Sequence, residues 1–178
     1  MSARLVAFKG ERARGFSLFE LLIAVVIVAI GILGIASLQV ISLQQNRAAL
    51  YRAEALQIGN DILDRMRTNP EIVGAANVYA PVLLTAPPAA GMSCIGAGQN
   101  CTPAQMRDFD VAQWKCSITS VDGAGVTFPF CDLLGITGRL PGGAGSITEV
   151  DGVHTVRVQW IDDSQGNIAF VQMLSRMD

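Results

Sequence analysis

Few residues of this chain have chemistry to offer: four cysteines, one histidine, an aspartate doublet and one carboxylate beside an oily run. Cys94, Cys101, Cys116 and Cys131 form an even set without a Cys-x-x-Cys pair, and His154 is the single histidine. That pattern does not suit zinc and points to two disulfides, for which three connectivities are open. Cys94–Cys101 would pin a loop, and Cys116–Cys131 is the reading for the second bond, with exchange between the pairs left open. His154 stands near a hairpin signal and reads as a surface residue, not a catalyst. Asp162-Asp163, followed by Ser164, Gln165 and Asn167, lacks the ligand spacing of an EF-hand and reads as a solvated turn. No metal and no other cofactor is expected. With no Ser–His–Asp set, phosphate loop or carboxylate pair, the chain does not read as an enzyme.

Glu20 poses a different problem. It is followed by residues 21–38, an uncharged run, and the next charge is Arg47. Such a run is long enough to cross most of a bilayer as a helix. A charge costs about 2–3 kcal/mol near the centre of lipid and less near its surface. Something should compensate for Glu20.

The charge distribution orients the run. Residues 1–15 carry Arg4, Lys9, Arg12 and Arg14 against Glu11, a net of +3. From Gln39 onward 9 basic residues face 13 acidic ones, a net of −4. A positive flank keeps the amino terminus in the cytoplasm and sends the rest across the membrane. A mildly acidic exported part offers no basic stripe for nucleic acid. A secretory signal peptide fits less well, because Gly34-Ile35-Ala36 is a poor cleavage site and the helical pattern continues past it.

Beyond the run, Ala48, Tyr51, Ala55, Ile58, Ile62 and Met66 recur at helical spacing, with Leu56 and Leu63 beside them. Glu54, Gln57, Asn60, Asp61 and Asp64 fall on the other side. The helix should stop at Thr68-Asn69-Pro70. Residues 69–101, rich in proline and glycine, read as a long connection with one short strand about 78–84. Thr102-Pro103-Ala104-Gln105 predicts a capped helix start. That helix would reach about Ile118 and turn Met106, Phe109, Ala112 or Val111, and Cys116 toward the core, with Trp114 beside them. Residues 140–145 read as a turn. Residues 147–150, 153–161 and 168–174 then alternate with a period of two, and Asp151-Gly152 is a hairpin signal. The expected fold class is α+β, a long amino-terminal helix packed on a carboxy-terminal antiparallel sheet of about three to four strands.

The segment Gly15-Phe16-Ser17-Leu18-Phe19-Glu20 resembles the prepilin processing site of type IV pilins and related pseudopilins. The resemblance implies that a prepilin peptidase cuts the Gly15–Phe16 bond and that Phe16 becomes N-methylated. It also gives Glu20 its counter-charge. An α-amine has an unperturbed pKa near 8 and is largely cationic at neutral pH. In a bundle of such helices it would neutralise Glu20 of a neighbour, so that Glu20 sets register during assembly. Gly31 and Gly34 would allow close helix packing or soften the helix.

Further segments are similar to minor pilins of the PilV kind, the type IV pilus modification proteins. These are Ile30-Gly31-Ile32-Leu33-Gly34, Asp61-Ile62-Leu63-Asp64-Arg65-Met66-Arg67-Thr68-Asn69-Pro70, Phe109-Asp110-Val111-Ala112-Gln113-Trp114, Leu140-Pro141-Gly142-Gly143 and Val156-Arg157-Val158-Gln159-Trp160. The implied division is a leader at 1–15, a transmembrane or filament-core helix half at 16–38, an amphipathic half at 39–68 and a pilin head at 69–178. The implied role is a minor pilin that primes assembly and forms a tip complex. Its partners would be other minor pilins, the major pilin, the prepilin peptidase, the inner-membrane assembly platform and a tip adhesin. Before assembly it would sit in the inner membrane with its head in the periplasm, and afterwards in the surface pilus. The alternatives are a minor pseudopilin of a type II secretion system and a membrane-anchored binding protein that never polymerises.

Overall fold

The computed structural model describes residues 15–69, 79–89, 94–95, 100–163 and 165–176. The chain divides into two units, one up to Gln44 and one from Gln45 onward. Helix α1 (Leu18–Thr68) begins in the first and ends in the second. In the first unit every described residue from Gly15 is exposed. Without a charge between Glu20 and Arg47 this part of α1 has no polar face to give to water. It is long and apolar enough to cross a membrane.

The second unit is an α+β head. Its part of α1 buries Ala55, Ile58, Ile62, Leu63 and Met66, a stripe at intervals of three and four. Three antiparallel strands, β1 (Ala144–Val150), β2 (Val153–Ile161) and β3 (Ile168–Arg176), lie in the order β1-β2-β3. Strand β2 alternates throughout, with His154, Val156, Val158 and Trp160 inward. Val156, Val158 and Trp160 join the α1 stripe, Ile147 and Val171 in one core. On the opposite face Arg157 stacks over the Phe170 ring at 4.3 Å. Asp151 and Gly152, at φ 52° and 77°, turn β1 into β2 with Val150 facing Val153. Two successive positive φ angles match the natural twist of a two-residue hairpin, and this is why aspartate and glycine stand there.

Helix α2 (Pro103–Ile118) is capped as its sequence predicts. Thr102 Oγ1 accepts from Gln105 N–H, and Gln105 Oε1 accepts from Thr102 N–H. It buries two faces, not one. Trp114 and Ile118 enter the main core, and Trp114 Nε1 donates to the Ile58 carbonyl at 3.1 Å. Phe109, Ala112 and Cys116 pack with Phe130 and Cys131 in a second cluster. Met106 only flanks that cluster, and Val111 flanks the main one.

Several boundaries differ from the sequence reading. Strand β1 begins at Ala144, inside the stretch read as a turn, because Gly145 lets the backbone pass against the Trp114 and Ile118 side chains. A Cβ at Gly145 would collide with both. Strand β3 runs on to Arg176, paired with Val153. A short helix, α3 (Pro129–Leu133), was not anticipated: at 5 residues it is too short for periodicity, and proline at its first position is its only local signal. Of the strand expected at 78–84, Val82 alone bridges to Ile147, with reciprocal bonds of 2.9 and 3.1 Å; Val78 lies outside the described residues.

Candidate functional site

In the segment that resembles a prepilin processing site, Gly15, Phe16 and Ser17 precede the helix and are exposed. Ser17 starts α1: its Oγ accepts from Phe19 N–H at 3.3 Å, and its carbonyl accepts from Leu21 N–H at 3.2 Å. Serine suits this cap position because its short side chain reaches a helix-start N–H that has no intrahelical partner. Glu20 then falls in the first turn, where a carboxylate faces the positive end of the helix dipole. The Gly15–Phe16 bond thus lies in accessible, non-helical chain immediately before a capped helix. After it come Phe16, Leu18 and Phe19, exposed by 83, 89 and 70%. Side chains of this size are left open in this way where another apolar surface is meant to cover them.

The head holds the cysteines in two bonds, Cys94–Cys101 and Cys116–Cys131. The second joins α2 to α3 inside the smaller cluster, where both residues are fully buried. Closing its loop removes about 3 kcal/mol of chain entropy from the unfolded state. The first ties residues on either side of the 96–99 stretch.

Polar groups in the head serve its architecture. Arg65 on α1 donates to Asp61 at 2.9 Å, Asp110 at 3.0 Å and Gln113 at 2.7 Å. The other Asp110 oxygen accepts from the Tyr79 hydroxyl at 2.7 Å, and Asn69 Nδ2 donates to the Pro103 carbonyl at 3.0 Å. This cluster locks the end of α1 to α2 and to the chain at Tyr79. Burial by itself would lower Arg65, but hydrogen bonds and charge from Asp110 and Asp61 outweigh it and raise its pKa. Burial pushes the Tyr79 phenol up, the Asn69 bond opposes this, and Asp110 pushes it further. Sequence periodicity had no means of finding a lone Asp110 on the inner side of α2.

His154 corrects the sequence reading. It lies on the inner face of β2, 4% exposed and opposite Glu149, and burial lowers its pKa. The alternation of β2 carried the signal, since His154 shares a face with Val156, Val158 and Trp160. Asp163 occupies a turn in which its carboxylate accepts from Gln165 N–H, Asn167 N–H and the Asn167 amide. Those bonds, led by the Asn167 side chain, hold its pKa down. Among the described residues no group of three or more histidine, cysteine or acidic side chains is placed to hold a metal.

Comparison with known families bears on both parts of the chain. Residues 11–36 match the prokaryotic N-terminal methylation motif, and residues 37–112 match the family described as type IV pilin Tt1218. No curated protein and no solved structure matches the chain. The two matched segments abut and take in residues 15–20, the whole of α1 and the first half of α2. With the apolar amino-terminal helix and the three-stranded antiparallel sheet of the head, these matches support an α+β, pilin-like chain, similar over these segments to type IV pilins.

Proposed function

We propose that the chain is a minor pilin that helps to prime a type IV pilus and takes its place in a tip complex with other minor pilins. The observation that carries the assembly role is the apolar surface of α1 up to Gln44, exposed throughout, with Glu20 as its one charge. The minor-pilin part rests on the PilV-like segments, foremost the stretch from Asp61 to Pro70 and the one from Phe109 to Trp114.

In this reading residues 1–15 are a leader, prepilin peptidase cuts between Gly15 and Phe16, and Phe16 is N-methylated. Cleavage leaves a cationic amine on Phe16, four residues before Glu20, a carboxylate that lipid penalises. In a stack of such helices the amine of one subunit and Glu20 of the next cancel each other. A subunit out of register leaves one buried charge without its partner, a costly arrangement that selects the correct step. The amino terminus stays cytoplasmic, the head is periplasmic, and polymerisation carries the protein out of the inner membrane. The assembly platform, the major pilin and a tip adhesin complete the set of partners.

Mass spectrometry of the amino-terminal peptide, from sheared filaments and from membranes, tests the proposal. The expected result is a peptide beginning at N-methyl Phe16 in filaments, in small proportion to the major subunit. An intact leader in both fractions overturns the reading. Equal abundance with the main subunit makes this the major pilin, and a processed form confined to membranes points to the type II secretion pseudopilin.

A further inference from the structure

The head contains a cavity of about 390 Å³ between α2, the 84–88 segment, the 121–123 turn and the start of β1. Pro87, Pro88, Ile118 and Phe128 give it apolar walls. Lys115 also lines it, and is only 5% exposed. Buried lysines are rare unless paired with an acid. The Lys115 ammonium donates to the Leu83 carbonyl at 2.7 Å and the Leu84 carbonyl at 3.2 Å. Among the described residues no carboxylate forms an ion pair with it. An ammonium has three donors, so one donor and the whole charge are left over. Burial lowers its pKa to about 8, which still leaves it mostly protonated at neutral pH.

We propose that this cavity binds a small apolar monocarboxylate, anchored by the Lys115 ammonium. The carboxylate would take the third donor and neutralise the charge, while the apolar body rests on the proline and phenylalanine walls. The volume lies within the range of small-ligand sites. Phosphate fits poorly, because Lys115 is the one cationic side chain among the lining residues and a doubly charged group would lose much hydration. Asp122, also on the cavity wall, limits the ligand to a single negative charge. One Asp122 oxygen is already engaged by Ala124 and Val126 N–H groups at 2.9 Å. Two sources supply this chemistry: a free short-chain or aromatic acid, and the carboxy-terminal residue of a peptide. The site does not depend on the chain's place in a pilus.

The test uses the full chain in nonionic micelles, with empty micelles as the partition control. Hexanoate, 3-phenylpropionate and a tripeptide ending in a free Phe carboxylate are titrated beside their amides by calorimetry and saturation-transfer NMR. At least one acid should bind ten or more times more tightly than its amide, and the tighter of free acid and peptide identifies the source. Lys115→Met should abolish that preference. Thr85→Glu, an exposed change at the rim, should weaken the acids severalfold and leave the amides unchanged. Equal binding of acids and amides, no saturable binding, or indifference to Thr85→Glu would each overturn the proposal. If Lys115→Met fails to form its disulfides, the acid–amide ratio and Thr85→Glu still decide.

Discussion

Ile27 and Ile58 are the same residue on the same helix, yet Ile27 is 64% exposed and Ile58 is 1% exposed. Around Ile27 every direction is apolar, so no orientation of the helix could satisfy water, and the whole circumference waits for lipid or for other subunits. Around Ile58 the apolar residues form a stripe, and Glu54, Asp61 and Asp64 take the rest of the circumference. The first arrangement specifies an environment outside the chain. The second specifies a fold. A matched pair of substitutions separates them. Ile58→Ala should destabilise the head by about 2–5 kcal/mol, because it opens a cavity under β2. Ile27→Ala should leave head unfolding unchanged. Both tryptophans, Trp114 and Trp160, lie in the head core, so urea unfolding followed by their fluorescence reads the head alone. A large loss of head stability in Ile27→Ala would erase the distinction.

Two acids sharpen the same contrast. Asp110 is 5% exposed and holds Arg65 and Tyr79 together inside the head. Removing it leaves the Tyr79 hydroxyl without its acceptor and takes one of three acceptors from the Arg65 guanidinium, at a cost of about 2–3 kcal/mol. Glu20 has no such partners among the described residues, so Glu20→Ala should not move the unfolding midpoint. Its expected effect is on recovery in sheared filaments, lowered severalfold with cleavage at Gly15 intact. The measurements are urea unfolding of Asp110→Ala and filament immunoblots of Glu20→Ala. Normal filament recovery in the latter would remove Glu20 from register-setting.

What could be read from the sequence follows how local its cause is. The α1 stripe, the Thr102 capping box, the Asp151-Gly152 hairpin and the alternation of β2 each depend on neighbours a few residues away. The start of β1 was hidden because Gly145 is explained by Trp114, a residue on another element. Helix α2 disguised its role through its two buried faces, which make Phe109 and Trp114 equally apolar on opposite sides. His154 was read by residue type when strand alternation already placed it inward. Around Gly15 the motif was legible because it is a contiguous run of sequence, and residues 11–36 match the N-terminal methylation motif. The Lys115 cavity was not, because its walls come from four separate stretches.

A third contrast, inside the head, sets Arg65 against Lys115. Arg65 is partly buried among acids and its pKa rises; Lys115 is buried without one and its pKa falls to about 8. Between that value and its ordinary 10.5 the unfolded chain holds a proton on Lys115 that the folded head releases. When the unfolded state binds more protons, stability increases with pH. Head stability should therefore rise by about 1 kcal/mol from pH 7.5 to 9.5, discounted for partial solvent access at the cavity. In Lys115→Met this rise should vanish. The window stops short of pH 10, where unfolded tyrosines ionise and the raised Tyr79 pKa works in the opposite direction. Parallel urea titrations at several pH values measure the difference between the two proteins. A flat difference would mean that Lys115 is solvated well enough to keep its ordinary pKa, and that the head carries no unpaired buried charge.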